Sequence, residues 1–405
     1  MPALVFPPFP DDVPTHPLLI IDYELLKRRD VDEINRLWDA STKLGFWYLK
    51  NHGADELVDE MFAMGAETMA LPLSEKMEYE QGDEGISFGY KAAGTNAVDA
   101  TGELDTVEFL NISKDDALAW PKQAHRAYPR TAVARMESTI TPFVRKSLEV
   151  NNLILEIFNE RLGLPEGTLL SLHTEEEYSG SETRLIRNPA TQSTTKKAIG
   201  SHTDFGSISF LHNRLGGLQV FVPGAESWQY VKPIPRHAIC NVGDALAIMS
   251  GGILRSNLHR VIPPPGAQSG FERWSLVFFT RPGNSAVLRA LTEMSDTIAE
   301  AVKKTPEKSF DTGSTSKDWF ARRIKNQRIK NRTASPALSE EYPKRIEQPF
   351  TGARDVDGKP RYRGGRDKLR VGFPATHRQT SVATFKEQGS HKVRNGLRQG
   401  TMLRS

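Results

Sequence analysis

One cysteine among 405 residues, Cys240, excludes an internal disulfide, so packing and hydrogen bonds have to hold the fold. Cys240 stands between apolar neighbours in "HAICNVGDALAIM" and reads as a small buried side chain rather than a nucleophile. No apolar run approaches the ~18–20 residues that span a bilayer, which excludes a membrane-spanning helix and leaves no membrane partner to expect. The N-terminal "MPALVFPPFPDDVPTHP" has no basic start and is broken by prolines, so it does not read as a signal peptide. With the lone cysteine, this points to a cytoplasmic protein. Internal repeats are missing, and so is a phosphate-binding glycine loop: "SGG" and "RLGG" are turn chemistry.

What is present is an ordinary globular composition, 38% hydrophobic and 25% charged. The net charge of +3 conceals an asymmetry. Residues 321–405 hold 21 Lys and Arg against 7 Asp and Glu, a net +14, which leaves −11 on the first 320 residues. A basic tail of this kind is either solvated charge or a contact for polyanions.

The chain changes texture twice. Residues 1–178 read as a mostly helical region with a few strands. Helical spacing runs through "DVDEINRLWDASTKLG", "DELVDEMFAMGAETMALP" and the long "TAVARMESTITPFVRKSLEVNNLILEIFNERLGLP", which Pro142 interrupts. "PLLIIDYELL" and "FWYLKN" read as strands and "GDEGISFGYKAAG" as a glycine-rich loop. Residues 179–285 break into eight short strand-like runs separated by turns, among them "TRLIRN", "KAIGSHTD", "SISFLHN", "HAICNVGDALAIM", "LRSNLHRVI" and "RWSLVFFTR". Successive strands without intervening helices predict a sandwich or jelly-roll core, so the fold class is mixed α and β. Residues 286–332 return to helix in "LTEMSDTIAEAVKK" and "SKDWFARRIKNQRIKNR", and residues 333–405 form the basic tail, which lacks apolar periodicity and reads as disordered.

Chemistry concentrates in the strand-rich region. In "GSHTDFGSISF", His202 and Asp204 stand two apart, which on a strand puts both on one face. "HTEE" at His173 has the same spacing, but follows a helix-like run where residues two apart diverge. His259, in "SNLHRVI", supplies a third donor from another strand. Two imidazoles and one carboxylate suit Fe(II) with open coordination positions, and zinc as well. Arg273 and Ser275, in "RWS", share a strand face with Trp274 opposite, and a guanidinium beside a hydroxyl makes a carboxylate clamp. His52, His212 and His237 read as structural or turn residues.

HxD, a histidine 55 residues beyond Asp204, and RxS 14 residues after that resemble the 2-oxoglutarate- and Fe(II)-dependent oxygenases, and within them the isopenicillin N synthase-like branch. "IIDY", "GFWYLKNHG", "LPLSEK", "GISFGY", "NVGD" and "LHRVIPP" resemble pieces of that branch in the same order, over residues 17–285. The resemblance implies a double-stranded β-helix. It implies Fe(II) on His202, Asp204 and His259, with O2 and 2-oxoglutarate as cosubstrates. Arg273 and Ser275 would meet the distal carboxylate of 2-oxoglutarate, which is converted to succinate and CO2 as a C–H bond of a small-molecule metabolite is oxidised. Many members carry a tyrosine where "RLIRNP" has Asn188, which makes Asn188 a candidate cosubstrate contact. Two other functions fit the same residues. One is an oxidase of the isopenicillin N synthase type that needs no 2-oxoglutarate. The other, less favoured, is a nucleic-acid-directed oxygenase that uses the tail. The sequence leaves the oligomeric state and the primary substrate open.

Overall fold

The computed structural model describes residues 6–98, 102–190 and 198–334. Two sheets face each other across a cavity. The larger has eight strands: β1 (Ile20–Asp22), β2 (Phe46–Lys50), β3 (Gly89–Lys91), β4 (Glu108–Ser113), β5 (Glu182–Asn188), β7 (Ile208–Asn213), β10 (Ala238–Val242) and β12 (Arg273–Thr280). Their spatial order is β1-β2-β10-β7-β12-β5-β4-β3. The smaller sheet holds β6 (Ile199–His202), β8 (Leu218–Val222), β9 (Ser227–Tyr230) and β11 (His259–Val261), in the order β6-β11-β8-β9. A hairpin of β13 (Val287–Arg289) and β14 (Asp311–Thr315) lies outside both.

Strand alternation explains why the larger sheet can face two environments. On β12, Leu276 and Phe278 join the core that includes Met61, Phe143 and Ile154 of the helices Asp55–Met69 and Thr141–Arg161. Arg273, Ser275, Val277 and Phe279 turn to the cavity instead. β5 behaves likewise, with Leu185 towards the helices and Arg184 and Ile186 towards the cavity. So does β10, where Cys240 is buried against the helices and Asn241 faces inward. A second apolar cluster, including Phe46, Ile186, Val220, Ile239 and Val261, joins the inner faces of the two sheets. Burying a Val, Ile or Phe side chain contributes about 1.5–3 kcal/mol, so these two layers dominate the fold's stability.

Several sequence expectations need correction. "HAICNVGDALAIM" is not one strand: β10 ends at Val242, and Asp244–Met249 is a helix, all six residues of it buried. "GDEGISFGYKAAG" contains β3, and "EFLNIS" forms β4, a strand the alternation pattern does not reveal. Pro142 does not break the long helix but stands in the first turn of Thr141–Arg161, where its missing N–H costs nothing. A π-helix, Met136–Ile140, runs directly into it. The tail from residue 335 lies outside the described residues; Ile329–Ala334 before it is helical. No helix among the described residues is long and apolar enough to cross a membrane.

Candidate metal centre and cavity

β6 and β11 are antiparallel neighbours, and their pairing sets His202 directly opposite His259. The two rings lie with centroids 4.2 Å apart. Asp204 reaches them differently from the expectation of a shared strand face. β6 ends at His202, and Asp204 sits in the following loop. That loop is fixed by the start of the helix Asp244–Met249: the Asp244 N–H donates to the Asp204 carbonyl at 2.8 Å, and Gly243 N–H to the Ser207 carbonyl at 2.9 Å. A Cβ on residue 243 would stand 2.2 Å from the Gly206 carbonyl oxygen, so only glycine permits this approach.

Donor atoms converge from the three side chains. Asp204 Oδ1 is 3.8 Å from His202 Nε2 and 3.5 Å from His259 Nε2. Each Nδ1 faces a backbone carbonyl, of Gly200 at 2.8 Å and of Asn257 at 3.2 Å. These carbonyls require N–H on Nδ1, which leaves the Nε2 lone pairs pointing at Oδ1. Asp204 Oδ2 is turned away and accepts hydrogen bonds from Ser209 Oγ at 2.5 Å and Asn241 Nδ2 at 2.7 Å. Burial alone would raise the Asp204 pKa, but the two histidines and the Ser209 bond hold it well below the usual range, so it stays anionic. Burial, aided by His259, lowers His202 to about 4, so it is neutral at physiological pH. On His259 burial acts downwards too, but Asp204 outweighs it and raises the pKa, so a metal there competes with a proton. A neutral imidazole, a second imidazole and a charged carboxylate meeting at one point fit a divalent transition metal. Alanine at Asn241 should loosen Asp204 and weaken Fe(II) binding roughly 10–100-fold, as measured by anaerobic titration. An unchanged affinity would show that Oδ2 needs no donor.

Arg273 and Ser275 lie in the same cavity, which encloses about 140 Å³ between the sheets. The Arg273 side chain is buried, with Nε donating to the Gly216 carbonyl at 2.7 Å and Nη1 to Ser275 Oγ at 2.5 Å. That carbonyl is presented by a tight turn in which Gly217 has φ +105 and approaches Ile262 too closely for a side chain. Among the described residues no carboxylate pairs with Arg273. Burial lowers its pKa to about 10, so it remains cationic at neutral pH. A buried cation without a protein counter-charge fits an anionic ligand. Asn188 is opposite Arg273 in the β5–β12 register, is buried, and accepts a hydrogen bond from Thr106 Oγ1 at 2.9 Å. The cavity wall includes Ile186 of the same strand but not Asn188.

His173 belongs to neither group: it is buried, with Nδ1 against the Leu169 carbonyl and Nε2 against Ser207 Oγ. His212 is on the helix-facing side of β7, beside His52 at 5.2 Å between centroids. Sequence reasoning missed the cavity residues Arg184 and Arg281, and Ile324 and Gln327 of the helix Ser316–Gln327. Alternation from Ile186 would have found Arg184. The C-terminal helix is placed by tertiary contacts that no local pattern encodes. It is fastened by Arg323 to Asp244 at 2.9 Å, and just beyond it Arg328 bonds Glu80 at 2.5 Å and Asp83 at 2.6 Å. These anchors precede residue 333. A chain cut after Arg332 should therefore keep its circular dichroism spectrum and its affinity for Fe(II) and 2-oxoglutarate. Loss of folding would show that the tail is a structural element.

A mixed α/β fold with a jelly-roll core and a His–Asp–His cluster is the architecture of a non-haem iron oxygenase. The family model of the 2OG-Fe(II) oxygenase superfamily matches residues 181–282, and that of the non-haem dioxygenase in morphine synthesis N-terminal region matches 18–132. A 2-oxoglutarate-dependent dioxygenase of Aspergillus fumigatus is 30% identical over 324 residues, 71% of this chain and 81% of the relative. A flavone synthase of Petroselinum crispum is 25% identical, covering 84% of this chain and 92% of the relative. In structure, the chain is similar to a full-length Neurospora crassa protein crystallised in complex with alpha-KG, with a TM-score of 0.62, 22% identity, and coverage of 78% of this chain and 97% of that one. The chain belongs to the 2OG-Fe(II) oxygenase superfamily and is a 2-oxoglutarate-dependent dioxygenase.

Proposed function

We propose that His202, Asp204 and His259 hold the Fe(II), that Arg273 and Ser275 hold the distal carboxylate of 2-oxoglutarate, and that O2 is the second cosubstrate in oxidising a small-molecule metabolite. The observation that carries this is the pairing, in one cavity, of three convergent donors with a buried guanidinium that lacks a protein counter-charge. The chemistry supplied when iron, 2-oxoglutarate and O2 are bound is oxidative decarboxylation to succinate and CO2, coupled to oxidation of a substrate C–H bond. The chain's own residues do the rest. Gly200 and Asn257 carbonyls set the imidazole tautomers. Ser209 and Asn241 fix the Asp204 carboxylate. Arg273 with Ser275 orients the cosubstrate, and the apolar cavity wall, including Phe46, Ile186 and Val261, keeps water from the reacting atoms.

In this reading residues 1–178 supply scaffold helices and β1–β4, residues 179–285 carry the chemistry, and residues 286–332 close the cavity. The matched segments 18–132 and 181–282 support that division. The test is succinate release screened over a metabolite panel, with oxygen uptake recorded in parallel. Uptake that tracks succinate and stops without 2-oxoglutarate is expected. Substrate-dependent uptake without succinate would favour an oxidase of the isopenicillin N synthase type.

A further inference from the structure

The cavity holds a second cationic point that the metal and the cosubstrate do not use. Arg184 on β5 and Arg281, just past β12, both line it. Both donate to one carboxylate oxygen, Glu182 Oε1, at 3.0 and 3.1 Å. Glu182 is fully buried, and its other oxygen accepts from Ser87 Oγ. Two guanidiniums therefore share one anion, and a positive charge is left over. The remaining acids of the wall do not offset it: Asp105 is paired with buried Lys91, and Asp204 is committed to the two histidines.

Arg184 is also held rigidly. Its guanidinium lies 4.3 Å from the ring centre of Phe109 and 5.1 Å from that of Phe279, and its Nε donates to Asn111 Oδ1 at 2.7 Å. With Nη2 on Glu182, the Nη1 nitrogen has no hydrogen-bond partner among the described residues. Arg184 lines the same cavity as His202, Asp204 and His259. It is distinct from the Arg273 clamp. Arg184 stands opposite Val277, four residues along β12 from Arg273, about 13 Å at the usual strand rise. Apolar neighbours of Arg184 on this wall include Phe109, Phe279, Val277 and Ile186.

We infer that the primary substrate is a monocarboxylate with an apolar or aromatic body, and that its carboxylate is received by Nη1 of Arg184 while the body lies along the apolar wall of Ile186 and Val277 beside it. This rests on reading the cavity as the substrate site of a 2-oxoglutarate-dependent oxygenase. A pre-positioned guanidinium in a desolvated wall favours a charged oxygen acceptor over a neutral isostere.

The probes are benzoate, phenylacetate and octanoate, each against its primary amide. They are titrated calorimetrically into full-length protein saturated anaerobically with Fe(II) and 2-oxoglutarate, so that no acid can enter at Arg273. Wild-type protein should bind at least one acid roughly tenfold or more tighter than its amide. Arg184→Gln should bring acid and amide within about twofold of each other while the 2-oxoglutarate affinity is unchanged, and Arg184→Lys should retain part of the preference. Removing Arg184 leaves Glu182 with one partner fewer, so Arg184→Gln is first checked by circular dichroism. If it does not fold, the wild-type preference and Arg184→Lys decide. Equal affinities in the wild type, no acid binding at millimolar concentration, or a preference that survives Arg184→Gln would each overturn the inference. Failure of wild-type protein to bind 2-oxoglutarate with Fe(II) would instead remove the reading beneath it, and this inference with it.

Discussion

Alanine at His202 is expected to abolish Fe(II)-dependent succinate formation and to leave the fold intact. The two halves of this result have different origins. His202 ends β6, is about a fifth exposed, and makes one local hydrogen bond, from Nδ1 to the Gly200 carbonyl. Its removal takes a single hydrogen bond from the Gly200 carbonyl, so the change in unfolding free energy should be about 1 kcal/mol, small against the ~5–15 kcal/mol of a typical domain. The centre, by contrast, loses one of three protein donors. Outer partners of a ligand already cost 10–100-fold in metal affinity when removed, so a ligand should cost at least ~100-fold. Asp204→Ala should be as inactive but less innocent structurally, because it strands Ser209 Oγ and Asn241 Nδ2 in a buried wall, at about 1–3 kcal/mol. Part of that cost is returned, since an uncompensated carboxylate no longer has to be buried in metal-free protein. Anaerobic iron titration, circular dichroism and succinate assays separate these terms. Turnover at the wild-type rate by His202→Ala would place the metal elsewhere.

The inner and outer faces of β5, β7 and β12 are legible in the sequence because each faces two different environments, and alternation with period two records that difference. The same rule places Arg273 and Ser275 together and Trp274 opposite. It fails where burial is uniform. β4, "EFLNIS", is buried over its last five residues and shows no alternation. The helix Asp244–Met249 is buried all round, so "DALAIM" carries neither period, and Gly243 is the one local sign of a break. The members of the candidate metal cluster are legible in the sequence, and the way they converge is not. A shared strand face would make His202 and Asp204 converge, whereas Asp204 lies in a loop fixed by backbone hydrogen bonds from Asp244 to Asp204 and from Gly243 to Ser207, some forty residues away. The Arg184–Glu182–Arg281 group was hidden differently. Each residue looks like a surface charge until the register of β5 and β12 brings them to one wall.

Arg273→Ala should raise the 2-oxoglutarate requirement roughly 30-fold or more, from a loss of about 2–5 kcal/mol for a charge-assisted pair in a water-poor site. The size of the effect follows from how Arg273 is held. Nε is fixed on the Gly216 carbonyl and Nη1 on Ser275, so the guanidinium is oriented before the ligand arrives and little entropy remains to be lost on binding. In ligand-free protein this cation is only 3% exposed and has no carboxylate partner among the described residues, which is unfavourable for the fold. Alanine trades that cost for a void of comparable consequence, so the melting temperature of the ligand-free variant should stay close to that of the wild type. The upward shift that 2-oxoglutarate gives should shrink instead, because stabilisation by a ligand grows as the logarithm of concentration over Kd and falls by about 2 kcal/mol for a 30-fold weaker site. Arg273→Lys keeps the charge but cannot satisfy Gly216, Ser275 and a carboxylate in one plane, and should fall between the two. Thermal shift and succinate kinetics over a 2-oxoglutarate series measure both quantities on the same samples. An unaltered requirement in Arg273→Ala would move the anchor to another cation of the cavity, with Arg184 the first to be examined. A lowered melting temperature with an unaltered shift would make Arg273 a packing residue rather than the cosubstrate clamp.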